Sequence, residues 1–450
     1  MAQLGQQTPT GRERTVGMDE LLFSTTDRRG VIRSSNSALT RISGYSTEEL
    51  AGSPHNLIRH PEMPGGVFKI LWDRLLAGLP AGAYLRNLAK DGSTYWVFAT
   101  VVPLGDGFLS VRMAPCDPIF ESVRRLYGEL RVVEEQALAA GLGRAAAAAA
   151  GAAELERRLE PLGFDSVEQF MAETLPAEVA ARRSLVSGAY ARSAAVGAPA
   201  ELLALTRDLD SRLEELVRRL DRYQKLSSAL ATTSRSVLMA GRSLDRAVGS
   251  ARAGSAPMHA DAPALYSVAE AMAVPSDAAV SAFAALVADL DALRMRVGGL
   301  RFRIALARLH NDTVAGFACE IVDGFADRSL CAEVTLLCDT MFAGLRDVDA
   351  TMADVNEGLA RVGDVVQVAG ERLDRIQRFL TKWRHLVARH QRADQLAAYV
   401  GAIDQQMLAG HTQLVELRAL SQRCRTEIVG FDLRPFGELV TAMRAVVVAG

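Results

Sequence analysis

The sequence lacks several features that mark common functional classes. Its five cysteines form no CxxC pair, which argues against a zinc site, and their odd number fits a reduced protein better than a disulfide scaffold. The net charge of −2 gives no global electrostatic reason to bind nucleic acid or an anionic membrane. The sequence contains no phosphate-binding glycine loop, kinase ATP-site pattern or metal-ligand spacing of histidines, so we predict no enzymatic activity.

Long apolar runs are also missing. The opening segment MAQLGQQTPTGRERTVG has no apolar core of the kind that a signal peptide needs. Residues 145–150 and the C-terminal AVVVAG are the most apolar later runs, and both are far shorter than the ~20 residues of a membrane span. We therefore expect a cytoplasmic protein without a membrane span.

Aromatic residues and turn glycines concentrate near the N-terminus. After a flexible N-terminus at residues 1–19, we predict a small α+β domain at residues 20–115. Ser46 and Glu49 have the spacing of a capping box, and Asp91-Gly92 is a strong hairpin turn signal. The predicted order is two short strands around a turn at 27–30, helices starting near residues 46 and 63, and strands at 84–90, 94–104 and 108–113.

The remainder of the chain is predicted to be helical almost throughout. Apolar residues spaced alternately by three and four form long seams, and each seam must be buried against another helix. Both an extended rod and a compact all-α domain satisfy this requirement. The seams run from Phe283 to Phe325, from Leu345 to Val387 and from Leu209 to Leu230. The predicted segments are connector helices at 116–195, a long helical bundle or coiled coil at 198–392, and C-terminal helices at 393–450.

The segment SPHNLIRHPEMPGG, residues 53–66, places many polar groups just ahead of an apolar helical pattern. Together with GYSTEEL, LWDRL, KDGSTYWV and SVR, it resembles the PAS domain of bacterial aerotaxis receptors over about residues 20–115. The resemblance implies an α+β PAS domain, followed here by a long all-α region of coiled-coil or helical-bundle type. It also implies a non-covalently bound FAD that senses redox state or oxygen-linked electron flow.

The resemblance also assigns individual residues to the flavin. Two positions depart from the family pattern: Glu62 stands where the family usually has aspartate, and Ala81 stands where it normally has tryptophan. The flavin-binding positions that the resemblance implies are Asn36, Arg59, His60, Glu62, Trp72 and Asn87.

The chemistry of these side chains is compatible with a flavin. Arg59 offers a planar donor fork to phosphate or carbonyl oxygens. Asn36 and Asn87 can each donate and accept hydrogen bonds at a ring edge, and Trp72 can form an apolar wall. Because reduction changes which ring nitrogens carry protons, such contacts would differ between redox states, as a sensor requires.

Two alternatives remain open for the same segment. Arg59, His60 and Glu62 could instead form a surface network of capping and ion-pair interactions. A haem PAS domain is the other rival, since a histidine can ligate iron. His60, however, lies between Arg59 and Pro61 within the flavin-type motif, which disfavours haem.

Neighbouring residues are predicted to have structural or relay roles. We expect His55 and Asn56 to orient the loop rather than contact a ligand, and Trp96 to be a core residue. A helix is predicted to begin after Pro118 and to leave the domain. Our hypothesis is that flavin reduction alters the contacts of this exit helix with the sheet.

A second, fainter resemblance lies in RIALARLHNDTVAGFACEIVDGFADRS, and coincidence is the alternative. The segment is similar to the tip of the chemotaxis signalling hairpin, which engages a histidine kinase and its coupling protein. A relationship predicts that the chain reverses near Leu309–Thr313 and that the two long seams pack antiparallel. Asn311 would then lie at the turn, whereas in a continuous helix it would be a buried polar residue.

The function predicted from these features is redox or oxygen sensing through a bound flavin, relayed by helices to a partner protein. We expect a homodimer formed through the helices, with a chemotaxis kinase or coupling protein as candidate partner. The alternative is a cofactor-free PAS adaptor that dimerises and scaffolds partner proteins. Purified protein that is yellow favours the sensor, and colourless protein favours the adaptor.

Overall fold

The computed structural model describes residues 7–186, 188–325, 331–391, 393–428 and 430–449. The chain divides into two compact units, which are described separately. The first unit comprises Met1–Val217, Gly298–Val348 and Asp432–Gly450, and the second comprises Arg218–Val297 and Asp349–Phe431.

A five-stranded antiparallel sheet is the centre of the first unit. Its strands lie in the order β2-β1-β5-β4-β3. The strands are β1 (Leu22–Asp27), β2 (Ile32–Ser35), β3 (Ala81–Leu88), β4 (Thr94–Pro103) and β5 (Gly107–Met113). This order of strands and the intervening helices confirm the α+β domain predicted from the sequence.

The helices fall into a short group within the sheet domain and a long group after it. The short helices are α1 (Ser37–Ser43), α2 (Thr47–Leu50) and α3 (Gly65–Leu76). The later helices are α4 (Ile119–Ala139), α5 (Arg144–Leu159), α6 (Val167–Leu185), α7 (Gly197–Ser255), α8 (Pro263–Val322), α9 (Cys331–Arg389), α10 (Ala393–Glu427) and α11 (Arg434–Ala449). Short 3₁₀ turns occur at His55–Ile58, Glu160–Leu162 and Ala256–Met258.

Local signals in the sequence explain the boundaries of the first elements. The Asp27 carboxylate accepts hydrogen bonds from the backbone of Arg29 and Val31, which closes the turn between β1 and β2. Ser46 caps α2, and Glu49 completes the predicted capping box. Gly92 has a φ of +80°, which a hairpin turn at this position requires and glycine readily adopts.

Part of the segment before the sheet contacts the hairpin between β3 and β4. The backbone N–H of Thr10 donates to the carbonyl of Gly92 over 2.8 Å. Arg12 and Arg14 exchange backbone hydrogen bonds with Thr94, and the Arg14 guanidinium pairs with Asp91. Flexibility was predicted for residues 1–19, of which the structure describes residues 7–19. These contacts attach part of that segment to the hairpin.

Aromatic side chains cover the outer face of the sheet. Phe23 packs edge-to-face against Phe317 of α8, with ring centroids 5.3 Å apart. Trp96 packs at the same centroid distance against Phe120 at the start of α4. Trp96 is buried, so its predicted role as a core residue is confirmed.

A buried carboxylate fastens α6 to this face. The Tyr84 hydroxyl donates to Glu178 Oε1 over 2.6 Å, and the backbone N–H of Cys116 donates to Glu178 Oε2 over 2.6 Å. Glu178 is fully buried, and burial raises its pKa to about 7 against the opposing effect of its hydrogen bonds. The contact joins α6 both to the sheet and to the segment that leaves β5.

Helices α8 and α9 run antiparallel in the second unit. The Arg372 guanidinium of α9 donates to the Ala278 carbonyl of α8 over 2.5 Å. An added Cβ on Gly358 of α9 would lie 3.2 Å from the Leu293 side chain of α8. Because the higher residue number on α9 matches the lower one on α8, the two seams pack in opposite directions in this unit, as predicted. In the first unit, Arg303 of α8 forms an ion pair with Asp347 of α9.

The predicted position of the reversal is wrong. Helix α8 continues without a break through Leu309–Thr313 and ends at Val322, and α9 begins at Cys331. Asn311 is buried within this continuous helix, and its Nδ2 donates to the Thr206 carbonyl over 2.9 Å. Since that partner satisfies the amide donor, the helix has no need to end there.

The seams are buried along almost their whole length. All seam positions from Leu345 to Val387 and from Leu209 to Leu230 are buried. The first seam is buried from Phe283 to Ala318, but Phe325 is 76% exposed because it lies beyond the end of α8. In the second unit the fully buried Trp383 is among the largest core side chains.

One described helix, α8, is long and apolar enough to cross a membrane by length and composition alone. Its most apolar 18-residue stretch has a mean hydropathy of 1.6, and 33% of that stretch is buried. Core helices of bundles share this composition, so the stretch does not distinguish a core helix from a membrane span.

Candidate functional site

A cavity of about 280 Å³ lies between α3 and the inner face of the sheet. Its volume is near the lower end of the ~300–1,000 Å³ typical of ligand sites. The apolar part of the lining comes from Phe68, Leu71, Trp72 and Leu75 of α3, and from Leu85, Val101 and Phe108 of the sheet. The polar part includes His55, Asn56, Arg59, Asn87, Ser110 and Arg112.

Helix α3 supplies one wall because its apolar residues recur with helical spacing. Trp72 lies edge-to-face with Phe108 of β5, with ring centroids 5.3 Å apart. Gly30, in the turn after β1, lies beside this indole, since an added Cβ would be in ordinary contact with it at 3.6 Å. The Trp72 ring is thus held between the turn and the sheet, at the edge of the cavity.

Arg59 enters the cavity from the loop before α3. Its guanidinium carbon lies 3.8 Å from the centroid of the Phe68 ring, and Nη2 donates to the Met63 carbonyl over 3.2 Å. Burial lowers the Arg59 pKa, while the charge of Glu134 on α4 acts in the opposite direction. A guanidinium nevertheless remains protonated in proteins, so Arg59 is a cation, and among the described residues Nη2 is its only guanidinium nitrogen that donates a hydrogen bond.

Asn87 faces Arg59 across an isolated antiparallel bridge between the loop and β3. Its side chain is 5% exposed, and Nδ2 has no hydrogen-bond partner among the described residues. A buried amide donor without a partner is costly, so a ligand acceptor at this position would offset a real penalty.

Arg112 is a cavity residue that the sequence analysis missed. It is 3% exposed on β5; Nη1 donates to Ser24 Oγ over 3.2 Å, and Nη2 donates to His55 Nε2 over 2.5 Å. Burial lowers the Arg112 pKa to about 10, so the group stays charged at neutral pH. No carboxylate of the described residues forms an ion pair with it. Strand alternation from Phe108 through Ser110 could have revealed its inward direction.

His55 lines the cavity, which was not expected. Burial, followed by the Arg112 charge, lowers the His55 pKa to about 3. The ring is therefore neutral, and its Nε2 accepts the hydrogen bond from Arg112. Asn56, also expected only to orient the loop, lies in the lining as well.

Three of the six predicted flavin-binding residues lie in the cavity lining: Arg59, Trp72 and Asn87. Asn36 lies elsewhere because it caps α1. Its Oδ1 accepts from the backbone of Phe23 and Leu39, and its Nδ2 donates to the Leu21 carbonyl. These bonds use both ends of the amide for structure.

His60 and Glu62 also lie outside the lining. His60 is fully buried, its Nδ1 accepts from the Glu62 backbone over 3.2 Å, and burial lowers its pKa to about 4. The Glu62 side chain is 64% exposed and pairs with Arg86 over 2.5 Å. Glu62 thus fits the alternative of a surface network, whereas His60 is buried within the loop and Arg59 lines the cavity.

The two departures from the family pattern therefore fall away from the cavity. Glu62 is on the surface, and Ala81 is buried at the start of β3, paired with Val101, without contributing to the lining. Among the described residues there is no group of three or more histidine, cysteine, aspartate or glutamate side chains that could hold a metal ion.

Comparison with known proteins places the cavity in a characterised fold. The family described as the PAS fold matches residues 32–108. The chain is 38% identical over 117 residues to the aerotaxis receptor of Escherichia coli (strain K12), which covers 25% of this chain and 23% of the receptor. It is 31% identical over 101 residues to the nitrogen fixation regulatory protein of Klebsiella pneumoniae, covering 22% of this chain and 20% of that protein. The chain thus spans less than a quarter of the length of either relative.

Solved structures are similar to part of the chain. A PAS domain from Colwellia psychrerythraea is 26% identical, with a TM-score of 0.19, and the match covers 21% of this chain and 85% of that one. A light-oxygen-voltage domain studied with a flavin analogue is 22% identical, with a TM-score of 0.21, over 23% of this chain and 83% of that one. The family match and the two sequence relatives together identify residues 32–108 as a PAS domain.

Proposed function

We propose that the chain is a redox or oxygen sensor whose PAS cavity binds a flavin, FAD, and whose helices relay the state of that cofactor to a partner protein. The observation that carries the proposal is the set of buried polar donors around the cavity. Asn87 Nδ2 and Arg112 Nε are buried and have no hydrogen-bond partner among the described residues. A flavin ring presents carbonyl oxygens and ring nitrogens that accept such hydrogen bonds.

The remaining lining also fits a flavin ring. Trp72, Phe68 and Phe108 provide an aromatic wall, which a planar ring requires. Because the volume is about 280 Å³, we propose that the cavity holds the flavin ring and that the rest of the FAD molecule extends outside it. His55 fits haem poorly, since its Nε2 is occupied by the hydrogen bond from Arg112.

The cavity residues would respond to charge. When bound, a flavin supplies a ring that takes up and releases electrons. Arg112 is a buried cation without an acidic partner in the described structure, so it stabilises any gain of negative charge in the cavity. Arg59 acts in the same direction from the loop. The contacts of both arginines would therefore differ between redox states, which is the differential interaction that a population shift needs.

The protein partner that receives the signal is also part of the proposal. The E. coli relative is named as an aerotaxis receptor, and we extend from that name to a chemotaxis kinase or coupling protein as the candidate partner. We propose that the chain acts in the cytoplasm as a homodimer through its helices. We propose no enzymatic role for the chain.

An absorbance spectrum of the purified full chain tests the flavin. We expect a yellow protein whose visible absorbance bleaches on addition of a reductant and returns in air. Colourless protein that also fails to take up added FAD would contradict the proposal and favour the cofactor-free adaptor. The matched variants are R59Q, which alters the cavity, and R33Q, which alters an exposed arginine paired with Asp106. Only R59Q should weaken FAD retention.

A further inference from the structure

The N-terminus of α3 has no cap from its own sequence. Pro64 occupies the capping position and makes no side-chain hydrogen bond to the helix. The first backbone N–H groups of a helix lack partners within the helix and carry a partial positive charge. An acceptor from elsewhere in the fold is therefore needed, because this end of α3 is buried at Gly66.

Glu134 of α4 supplies that acceptor. Gly65 N–H donates to Glu134 Oε2 over 2.8 Å, and Gly66 N–H donates to Oε1 over 2.8 Å. The Glu134 side chain is only 4% exposed. A carboxylate that accepts two backbone donors in a buried setting forms a strong, charge-assisted contact.

Two glycines allow α3 and α5 to approach one another around this contact. An added Cβ on Gly66 would lie 2.4 Å from the backbone nitrogen of Ala152 on α5. An added Cβ on Gly151 of α5 would overlap the Glu134 carboxylate. The three helices therefore meet at Glu134, and neither glycine position accommodates a larger side chain without movement.

The same helix α3 forms the cavity wall through Phe68 and Trp72. Arg59, which stacks on Phe68, is within electrostatic range of Glu134, whose charge favours the protonated guanidinium. One end of α3 is thus held by α4, while its cavity face contacts whatever the cavity contains. Helix α4 is also the segment that leaves the sheet domain.

We propose that Glu134 is a positioning residue that couples the cavity to α4, because its cap makes the positions of the cavity wall and the exit helix depend on each other. The inference rests on the proposed sensor function and deepens it. It assigns the signal from the cavity to the contact between α3 and α4, instead of to the contacts between α4 and the sheet. The packing of α5 against both helices provides a competing route that does not need the carboxylate.

Hydrogen exchange in the full chain separates the two routes. W72L perturbs the cavity wall, and K69A is the control on the exposed side of α3. E134Q removes the charge of the cap, and E135Q changes the neighbouring exposed glutamate of α4. Exchange is measured in peptides covering residues 65–76 and 119–139, in the wild type, in each single variant and in the W72L/E134Q double variant.

We expect E134Q, but not E135Q, to lower the protection of the Gly65 and Gly66 amides by about tenfold or more, as for loss of hydrogen bonds to a charged group. W72L should change the protection of α4, K69A should not, and the W72L effect should disappear in the E134Q background. An equal W72L effect in both backgrounds would assign the coupling to α5 and overturn the proposal. Absence of any W72L effect on α4 would overturn it as well.

This comparison stands apart from the test of the flavin. It uses no ligand, so a colourless wild-type protein would refute the flavin and leave the coupling measurable. Should E134Q fail to fold, as judged by circular dichroism, E134D takes its place. The aspartate keeps the charge but is one methylene shorter, so it cannot reach both amides. An equal W72L effect with and without E134D, or no W72L effect on α4, would again overturn the proposal.

Discussion

The close approach of α3 and α5 predicts a destabilising Gly66→Ala substitution. The added Cβ would lie 2.4 Å from Ala152 N and 2.6 Å from Gly151 C, whereas ordinary contact begins at about 3.4 Å. Both contacted atoms belong to the backbone, so no side-chain rotation relieves the overlap, and α5 has to retreat by about 1 Å. Overpacking of this kind costs roughly 1–3 kcal/mol.

Part of that cost is offset, because alanine is favoured over glycine within a helix by roughly 0.5–1 kcal/mol. The middles of the two ranges leave a net loss of about 1 kcal/mol, which corresponds to roughly a 5-fold change in a local opening equilibrium. Native-state hydrogen exchange of the α3 and α5 amides measures this change directly.

Gly128→Ala is the matched control. Gly128 lies inside α4, and an added Cβ there would meet nothing within 4 Å. G128A should therefore slow exchange in α4 modestly through helix propensity alone. If G66A leaves the exchange of α3 and α5 unchanged, α5 does not pack against α3 at Gly66, and the predicted destabilisation is wrong.

Three further predictions concern buried polar groups. Burial raises the Glu178 pKa to about 7 from its usual 4.5, so its contribution to stability is complete below pH 4.5 and is lost as the pH rises through 7. The unfolding free energy of the first unit, followed by urea titration, should fall by about 3 kcal/mol between these limits, and E178Q should remove most of this slope. Tyr84→Phe removes the 2.6 Å bond to Glu178 and should destabilise the first unit by about 1–3 kcal/mol at neutral pH, measured by the same titration. R112Q should weaken FAD binding at least tenfold in a fluorescence titration, whereas R33Q should not; equal affinities for the two variants would show that Arg112 does not contact the ligand.

Much of the sheet domain could be predicted because its signals are local. The capping box at Ser46, the turn at Asp27 and the glycine turn at Gly92 each depend on residues within four positions. The seams were also predictable, since heptad spacing reports burial without identifying the partner helix. The reversal was misplaced because it depended on the resemblance to the chemotaxis hairpin tip. The helix instead continues through Asn311, whose Nδ2 donates to the carbonyl of Thr206, a partner 105 positions away.

The candidate site was predictable only in part, because some of its residues depend on partners that are distant in sequence. Arg59, Trp72 and Asn87, which line the cavity, were assigned through the resemblance to the PAS domain of aerotaxis receptors. Arg112 and Glu134 are ordinary charged residues in sequence, and their roles arise from partners on other elements. Asn36 has the residue type of a ligand contact, but its local position before α1 commits it to capping.

The absorbance spectrum of the protein as isolated, repeated after addition of a reductant, tests the central claim most directly. The account predicts a flavin spectrum that bleaches on reduction, and a bound cofactor that is retained by R33Q and lost more readily by R59Q and R112Q. Protein that is colourless and stays colourless after incubation with FAD would contradict it.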